Sequence, residues 1–481
     1  MTLSREFMLE RMLASDRAWN GRFLTGVLST GIYCLPSCTA RKPKPENVRF
    51  FFTETEAQSA GLRACRRCRP NDFYRDFDPD FERLTALTAQ IGEEPGAFEG
   101  VESLAESSGL GVTKLHALFR RHYHTTPAVY LNRARIAAAC RLLTDPAAPT
   151  ALDAAVAVGY ESLSAFNENF RRWTGLSPTE YRRLGAESTF AIALPPNYRP
   201  EYPLGLQGRD AESRTERVQG CCLTKAIHLD ERPALLHLEF CGEIAQCRVE
   251  AASTVGAEEM RAAHGIALRL LNLASDPGPF ERRLEEQGDL FRLVERRQGL
   301  RIPLAATLFE GLVWSIVGQQ VNLSFAASLR RTLAELCGER IDDRFVAHPT
   351  PQQIAQLDYS DLTPRQFSRS KAEYLIDTAR LIASGELPLE TFADAPASQV
   401  EKRLLAQRGL GPWSVNYLML RSCGFADCVP VGDSGLRAAL KRFYALDTAP
   451  DAPQTLALME AFAPFRSLAT YHLWYSLGEV E

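Results

Sequence analysis

No run of about 18 consecutive apolar residues occurs anywhere in the chain, which excludes a membrane-spanning helix. The first residues also lack the charged-then-apolar pattern of an export signal, so a cytoplasmic protein with no membrane partner is expected. Nor is there an excess of charge of one sign: 55 Lys and Arg stand against 59 Asp and Glu, a net of −4. Composition as a whole therefore gives no argument for nucleic acid, and basic surface has to be sought segment by segment. Cysteines number only 12 in 481 residues, too few for a disulfide scaffold and not expected to pair in a reducing compartment. What remains is a chain that is 45% apolar and too long for one ordinary core, which implies roughly two to four domains.

Four of the cysteines are concentrated near the start. "GIYCLPSCTARKP" contributes Cys34 and Cys38, and "GLRACRRCRP" contributes Cys65 and Cys68 after an interval of 26 residues. CxxxC followed by CxxC is the spacing of a tetrahedral thiolate zinc site. Such a site can be a plain staple for a segment too small to fold well alone. It can also be a reagent, because the metal keeps its thiolates deprotonated and nucleophilic at neutral pH. The other eight cysteines are dispersed, with Cys221 and Cys222 adjacent, and are expected to fill ordinary core or surface positions.

The stretch "NGRFLTGVLSTGIYCLPSCTARKPKPENVRFF" together with "GLRACRRCRP" resembles the N-terminal domain of the Ada adaptive-response family, over about residues 5 to 75. The resemblance implies that Cys34 takes a methyl group from a methylated DNA phosphotriester while Cys34, Cys38, Cys65 and Cys68 hold one Zn2+. Methylation would turn a thiolate into a thioether and remove a negative charge from a surface facing phosphates, so DNA affinity should rise. Arg41 and Arg67 are the expected phosphate contacts in this domain.

Between residues 80 and 185 the chain repeats itself. "FRRHYHTTPAVY" from Phe119 and "FRRWTGLSPTEY" from Phe170 share Phe-Arg-Arg, a Pro eight positions on and a Tyr three further, at an offset of 51. Each is preceded by a short helix ending at Gly109 or Gly159, the layout of a helix-turn-helix. "AAVAVGYESLSAFNENFRRWTGLSPTEYR" is similar to the AraC-type DNA-binding signature, and a pair of purely structural hairpins is the rival reading. Lys114 and His116 in the first unit, with Thr113, and Asn167 in the second, with Ser162, Ser164 and Glu168, are the candidates for contact with DNA. Arg171, with Arg120, Arg121 and Arg172, is expected at the DNA backbone, while Leu115, Leu118, Phe119, Phe166 and Phe170 are expected in the core.

From about residue 187 the pattern changes. "RPALLHLEF" and "CRVEAA" alternate like strands, so a small α+β domain is expected up to about residue 296, followed by helices to the end. In "VEKRLLAQRGLGPWSVNYLMLRSC" a helix meets a Gly-Leu-Gly hairpin and a second helix begins near Pro412. Gly409 and Gly411 would let backbone N–H groups approach a phosphate. "DCVPVGDSGLRAAL" then places Asp433 22 residues past Gly411, just before another helix, where a capping role is the structural alternative.

With "LFEGLVWSIVGQQV" upstream and "FAPFRSLATYHLWYSLG" at the end, residues 190 to 478 resemble an AlkA-type 3-methyladenine DNA glycosylase of the helix-hairpin-helix superfamily. That resemblance implies Asp433 as catalytic carboxylate and no cofactor. Where lyase members of the superfamily carry a Schiff-base lysine, this chain has Trp413, so hydrolysis without a covalent intermediate is expected. Trp413 and Tyr417, one helical turn apart and joined by Trp314 and Phe465, would line the base pocket, since an alkylated purine is cationic and attracted to electron-rich rings. In the loop "VGQQVN", where relatives wedge an apolar side chain into the duplex, Gln319 and Gln320 stand instead.

The fold expected is multidomain and mainly α: a zinc-bound α/β domain (1–78), two helix-turn-helix units (79–186), an α+β domain (187–296) and an all-α helix-hairpin-helix glycosylase domain (297–481). The expected function is excision of alkylated purines joined to a transcriptional regulator, with double-stranded, alkylated and promoter DNA and RNA polymerase as partners. The competing reading is an AraC-type regulator whose C-terminal half only binds. No "PCHRV"-like segment is present, so repair of O6-methylguanine is not expected.

Overall fold

The computed structural model describes residues 3–75, 77–144, 150–230 and 232–478. It divides into two compact units, one of residues 1–89 with 108–110 and one of residues 90–107 with 111–481. In the first unit a four-stranded sheet is built from β1 (Leu24–Val27), β2 (Ile32–Cys34), β3 (Val48–Phe51) and β4 (Arg63–Ala64), in the order β3-β1-β2-β4. Only a handful of large side chains close its core: Leu24, Tyr33, Leu35, Phe51 and Leu62 are buried around Ala57. That core is small enough for a cross-link of some kind to matter to its stability.

The second unit begins with the duplicated helices. α1 (Val101–Ser108) and α2 (Val112–Tyr123) form the first helix-turn-helix, α3 (Pro127–Leu143) follows, and α4 (Ala151–Ala157) with α5 (Leu163–Thr174) form the second. Leu115, Leu118, Phe119, Phe166 and Phe170 are buried, as their helical spacing requires. Five antiparallel strands follow: β5 (Thr189–Ala193), β6 (Glu216–Gln219), β7 (Cys222–Leu229), β8 (Arg232–Cys241) and β9 (Ile244–Ala251), ordered β5-β9-β8-β7-β6. Alternate residues Leu236, Leu238 and Phe240 of β8 and Ala245, Cys247 and Val249 of β9 turn inward, with Met260, Ala263 and Ala267 of α6 (Ala257–Leu271) in the same core. Leu176 and Leu184, from the end of the second helix-turn-helix, share that core, so the two regions are packed as one body.

The helical part centres on α7 (Leu308–Val317), whose residues are nearly all buried because it is apolar around its whole circumference. Thr307 caps it by accepting from the N–H of Glu310. Around it lie α8 (Leu323–Cys337), α9 (Arg369–Ala383), α10 (Ala397–Leu405), α11 (Pro412–Leu418), α12 (Ser434–Phe443) and α13 (Arg466–Ser476). α10 and α11 with residues 406–411 between them make the helix-hairpin-helix. The helical part and the sheet are bolted together by a buried charge cluster: Lys225 of β7, 1% exposed, pairs with Glu216 of β6 at 2.7 Å and with Glu310 of α7. Arg330 of α8 pairs with the same two carboxylates.

The helix-turn-helix pair is anchored at both ends on the rest of this unit. On the first, His122 Nδ1 meets Ser398 Oγ of α10 at 2.6 Å, Arg133 donates to Asp394 at 2.7 Å, and His124 accepts from the N–H of Asp427 at 3.2 Å. On the second, His264 Nε2 donates to the carbonyl of Thr174 at 2.7 Å and Arg172 donates to Asp276 at 2.9 Å. Burial lowers both His124 and His264 to a pKa of about 4, so each is neutral in the folded protein.

Candidate functional site

The cysteine cluster follows from strand register. β2 and β4 run parallel with Tyr33 opposite Ala64, which sets Cys34 and Cys65 side by side at the strand ends. A tight turn, closed by the Cys38 N–H on the Leu35 carbonyl at 3.1 Å, returns Cys38 to the same point, and Cys68 follows one turn after Cys65. All four sulfurs lie within 4.8 Å of one another, and Cys34, Cys38 and Cys65 are buried. A zinc ion with Zn–S bonds of about 2.3 Å would need them about 3.8 Å apart. Backbone N–H groups of Leu35 and Arg67 donate to the sulfurs of Cys68 and Cys65 at 3.3 and 3.4 Å, an arrangement suited to thiolate. The thiols perturb one another: Cys34 is pushed far above its ordinary pKa, first by its hydrogen bond to Cys38, and Cys38 is drawn down to about 2, first by that to Cys34. The donor set fits a thiophilic divalent ion, which is what allows four adjacent thiolates to be ionised together.

Arg41, Arg66 and Arg67 are exposed around the cluster. Arg67 donates to the Thr39 carbonyl at 3.4 Å, and Lys42 is half-buried, bridging Ser15 Oγ and the Cys38 carbonyl.

In the helix-turn-helix units Thr113 and Lys114 are exposed and His116 half-buried; Ser164, Asn167 and Glu168 are exposed. Three of the candidate residues also have partners within the fold. Ser162 is the cap of α5, accepting from the Ala165 N–H at 3.4 Å. Arg171 lies 3.9 Å from Glu180, and Arg172 is turned to Asp276, because each has a carboxylate within reach that the repeat pattern alone does not reveal.

In the helical part, Asp433 is held from three directions. Its Oδ1 accepts from the Leu436 N–H at 2.7 Å, capping α12, and from Trp474 Nε1 at 2.9 Å. Its Oδ2 accepts from Trp413 Nε1 at 2.8 Å. A capping role therefore does not exclude a chemical one: the helix N-terminus and two indoles orient the carboxylate through neutral N–H groups. Trp413, Tyr417 and Trp474 form a continuous series of rings, with centroids 5.5 and 5.8 Å apart. Trp314 joins through its Nε1, which donates to the Tyr417 hydroxyl at 2.9 Å, and Arg330 lies over the Trp314 ring at 5.6 Å. The buried charge cluster therefore reaches the aromatic wall through Arg330.

Two of the expected pocket and loop residues have partners of their own. Phe465, half-buried, packs its ring against Phe280, 5.9 Å away, at the edge of the core. Gln319 is not a free wedge: its Nε2 donates to the Gly409 carbonyl at 2.8 Å and to Ser414 Oγ at 3.0 Å, fastening this loop to the hairpin. Gln320 is the exposed one, held at φ +54°, a left-handed conformation costly for a non-glycine residue and frequent at functional loops. Gly409 has φ +89° and lies flat on Tyr374, where any Cβ would meet the ring at 2.2 Å; Gly411 has open space before it at the start of α11. Trp474 is the site residue that sequence reasoning missed; its one signal is its place in the aromatic-rich last helix.

Three family models match the chain in order. They are the metal binding domain of Ada over residues 8–71, a helix-turn-helix domain over 104–184, and the HhH-GPD superfamily base excision DNA repair protein over 313–464. The DNA-3-methyladenine glycosylase of Bacillus subtilis is 33% identical over 42% of this chain and 68% of that protein. The chain belongs to the DNA-3-methyladenine glycosylase family. Ahead of its glycosylase it carries the Ada-type metal-binding and helix-turn-helix domains. A probable bifunctional transcriptional activator/DNA repair enzyme AlkA of Mycobacterium tuberculosis is 28% identical over 96% of this chain and 95% of that one. A 3-methyladenine DNA glycosylase from Archaeoglobus fulgidus shares the fold, with a TM-score of 0.53 at 22% identity, covering 60% of this chain and 99% of that one.

Proposed function

We propose that this protein is an alkylation-response regulator and repair enzyme, organised as the four domains 1–78, 79–186, 187–296 and 297–481. Its glycosylase half excises alkylated purines from double-stranded DNA, and the observation that carries this is the Asp433 carboxylate held by Trp413, Trp474 and the start of α12. Alkylation at N3 or N7 makes the purine cationic. The face formed by Trp413, Tyr417 and Trp474 attracts such a base by about 0.5–2 kcal/mol. As the bond between the sugar C1′ and the purine nitrogen breaks, its electron pair leaves with the base and positive charge develops on the deoxyribose. Asp433 stabilises that charge, and water adds to C1′ with loss of a proton.

The product is an abasic site without a covalent enzyme intermediate. Trp413 stands where a Schiff-base lysine would be, and the Lys371 ammonium is committed to the carbonyls of Val317 and Gln319 at 2.6 and 2.7 Å. Gly411 and the exposed Gln320 are the proposed contacts with phosphate and with the gap left by the flipped base. No metal or other cofactor takes part in this half.

In the first unit Cys34, Cys38, Cys65 and Cys68 would hold Zn2+, which keeps the sulfurs as thiolates when bound. The Cys34 sulfur attacks the methyl carbon of a methylphosphotriester, the O–CH3 bond breaks, and its electron pair stays on the phosphate as a diester anion. Cys34 becomes a thioether with one negative charge fewer. Arg41 and Arg67 are the phosphate partners there; Lys114, His116 and Asn167 contact bases or phosphates and Arg171 the backbone where the helix-turn-helix pair binds promoter DNA, where an activator also contacts RNA polymerase.

The test is single-turnover release of 3-methyladenine from a methylated duplex. Native protein releases free base, borohydride traps no covalent complex, and Asp433→Asn loses release while keeping its fold by circular dichroism. Unchanged release by Asp433→Asn would overturn the assignment. No release by native protein would favour a regulator with a binding-only half.

A further inference from the structure

Outside the N-terminal cluster the chain brings a second set of thiols together, at one end of the five-stranded sheet. Gly220 and Cys221 form the turn between β6 and β7, with Gln219 opposite Cys222. Gly242 and Glu243 form the turn between β8 and β9, with Cys241 opposite Ile244. Because Cys222 pairs with Glu239 across β7 and β8, both turns fall at the same end, and the Phe240 N–H donates to the Cys221 carbonyl at 3.1 Å between them. Strand alternation sends Leu238 and Phe240 into the core and Glu239 and Cys241 to the outer face.

The sulfurs of Cys221 and Cys222 and a carboxylate oxygen of Glu239 lie within 4.8 Å of one another. Cys241, two residues beyond Glu239 on the same outer face of β8, is exposed at the same end of the sheet. Three of the eight cysteines outside the N-terminal cluster thus sit on one small patch, with a carboxylate among them. Cys221 and Cys241 are exposed, so the patch is open to ions from solvent. The ligand atoms already approach the spacing that a tetrahedral ion would need.

We propose that Cys221, Cys222 and Glu239, with Cys241 as fourth donor, form a second binding site for a thiophilic divalent cation of the zinc class. Three thiols and a carboxylate suit a d10 ion with tetrahedral preference and not Mg2+ or Ca2+, which select oxygen. Binding replaces three S–H bonds with metal–sulfur bonds and releases three protons, so occupancy rises with pH. The ion would staple the tips of the two hairpins that neighbour each other in the sheet.

The experiment compares the zinc content of the full chain and of Cys222→Ser, each reduced with a phosphine, equilibrated with excess zinc and desalted. Native protein should retain one more zinc per chain than Cys222→Ser, and Glu239→Gln should weaken retention of that same ion. Because the readout is a difference, it does not depend on the occupancy of the Cys34 cluster. Cobalt titration should give a thiolate-to-cobalt charge-transfer band whose last equivalent disappears in Cys222→Ser. Unchanged excision of 3-methyladenine by Cys222→Ser verifies that the variant is folded. Equal zinc content in native protein and a folded Cys222→Ser would overturn the proposal. Should Cys222→Ser misfold, Cys241→Ser takes its place, with the same two outcomes.

Discussion

In the proposed function the Cys34 cluster and the Asp433 site each present an anion to alkylated DNA, and they hold it in opposite ways. Cys34 is buried among three other sulfurs, so its ionisation depends on a cation and on its neighbours. Asp433 is held by three neutral N–H groups that orient it without pairing its charge. The first arrangement suits a group consumed in reaction, whose loss of charge is itself a signal. The second suits a group that must return unchanged after each excision, since nothing bonded to it has to be replaced.

The largest test of that difference is to exchange charge for shape. Asp433→Asn should reduce excision by about 10²–10⁴-fold, leaving methyl transfer to Cys34 unaltered. Cys34→Ser should do the reverse, abolishing incorporation of labelled methyl while excision continues at its native rate. Loss of both activities in either variant would mean that the two sites are not separate.

A second contrast sets the buried charges apart from both sites. Glu216 is held below the usual carboxylate range: burial opposes this, and Arg330 and Lys225 outweigh it. Lys225 is correspondingly raised, with Glu216 and Glu310 outweighing burial. Lys225→Ala leaves two buried carboxylates sharing Arg330 alone and should cost about 3–5 kcal/mol in urea unfolding. Through Arg330 and Trp314 it should also loosen the Tyr417 wall, raising KM more than it lowers kcat.

The histidines under the helix-turn-helix pair give a pH test. His124 and His264, both lowered to about 4 by burial, have an ordinary pKa of about 6.5 in an unfolded chain. Their depressed values mean that the unfolded state binds more protons below pH 6.5. The stability they contribute is complete above about 6.5 and lost as pH falls toward about 4, with His264 alone worth ~3 kcal/mol. Hydrogen exchange at pH 7 and 4.5 should show α2 and α5 losing protection before α7. His264→Asn, able to keep a donor toward the Thr174 carbonyl, should flatten the profile.

How much of this was legible in the sequence depends on how far apart the partners lie. The four cysteines were readable because adjacent parallel strands place Cys34 and Cys65 in register, and the spacing records that pairing. The place of Asp433 at a helix start was readable because it immediately precedes a helical pattern and follows the Gly-Leu-Gly hairpin. Trp474 was not: its bond to Asp433 spans 41 residues and exists only because α13 packs on α12. The docking of His122 on Ser398 spans 276 residues, with no local pattern to announce it. The contacts of Phe465 with Phe280 and of Gln319 with Gly409 were hidden for the same reason, since neither partner lies nearby in the chain.

The finest test separates the two indoles that grip Asp433. Each donates one N–H and each ring lies beside Tyr417, but Trp413 donates to Oδ2, while Trp474 donates to the oxygen that already caps α12. Trp→Phe keeps an aromatic face and removes the donor, so each variant isolates one hydrogen bond to a charged group, worth about 1.5–3 kcal/mol. Trp413→Phe should fall by about tenfold or more in kcat, because Oδ2 then has no remaining donor among those described and can rotate. Trp474→Phe should fall less, because the Leu436 N–H still holds Oδ1 in place. Equal losses would mean that the helix N-terminus contributes little to holding the carboxylate and that the indole pair alone sets its orientation.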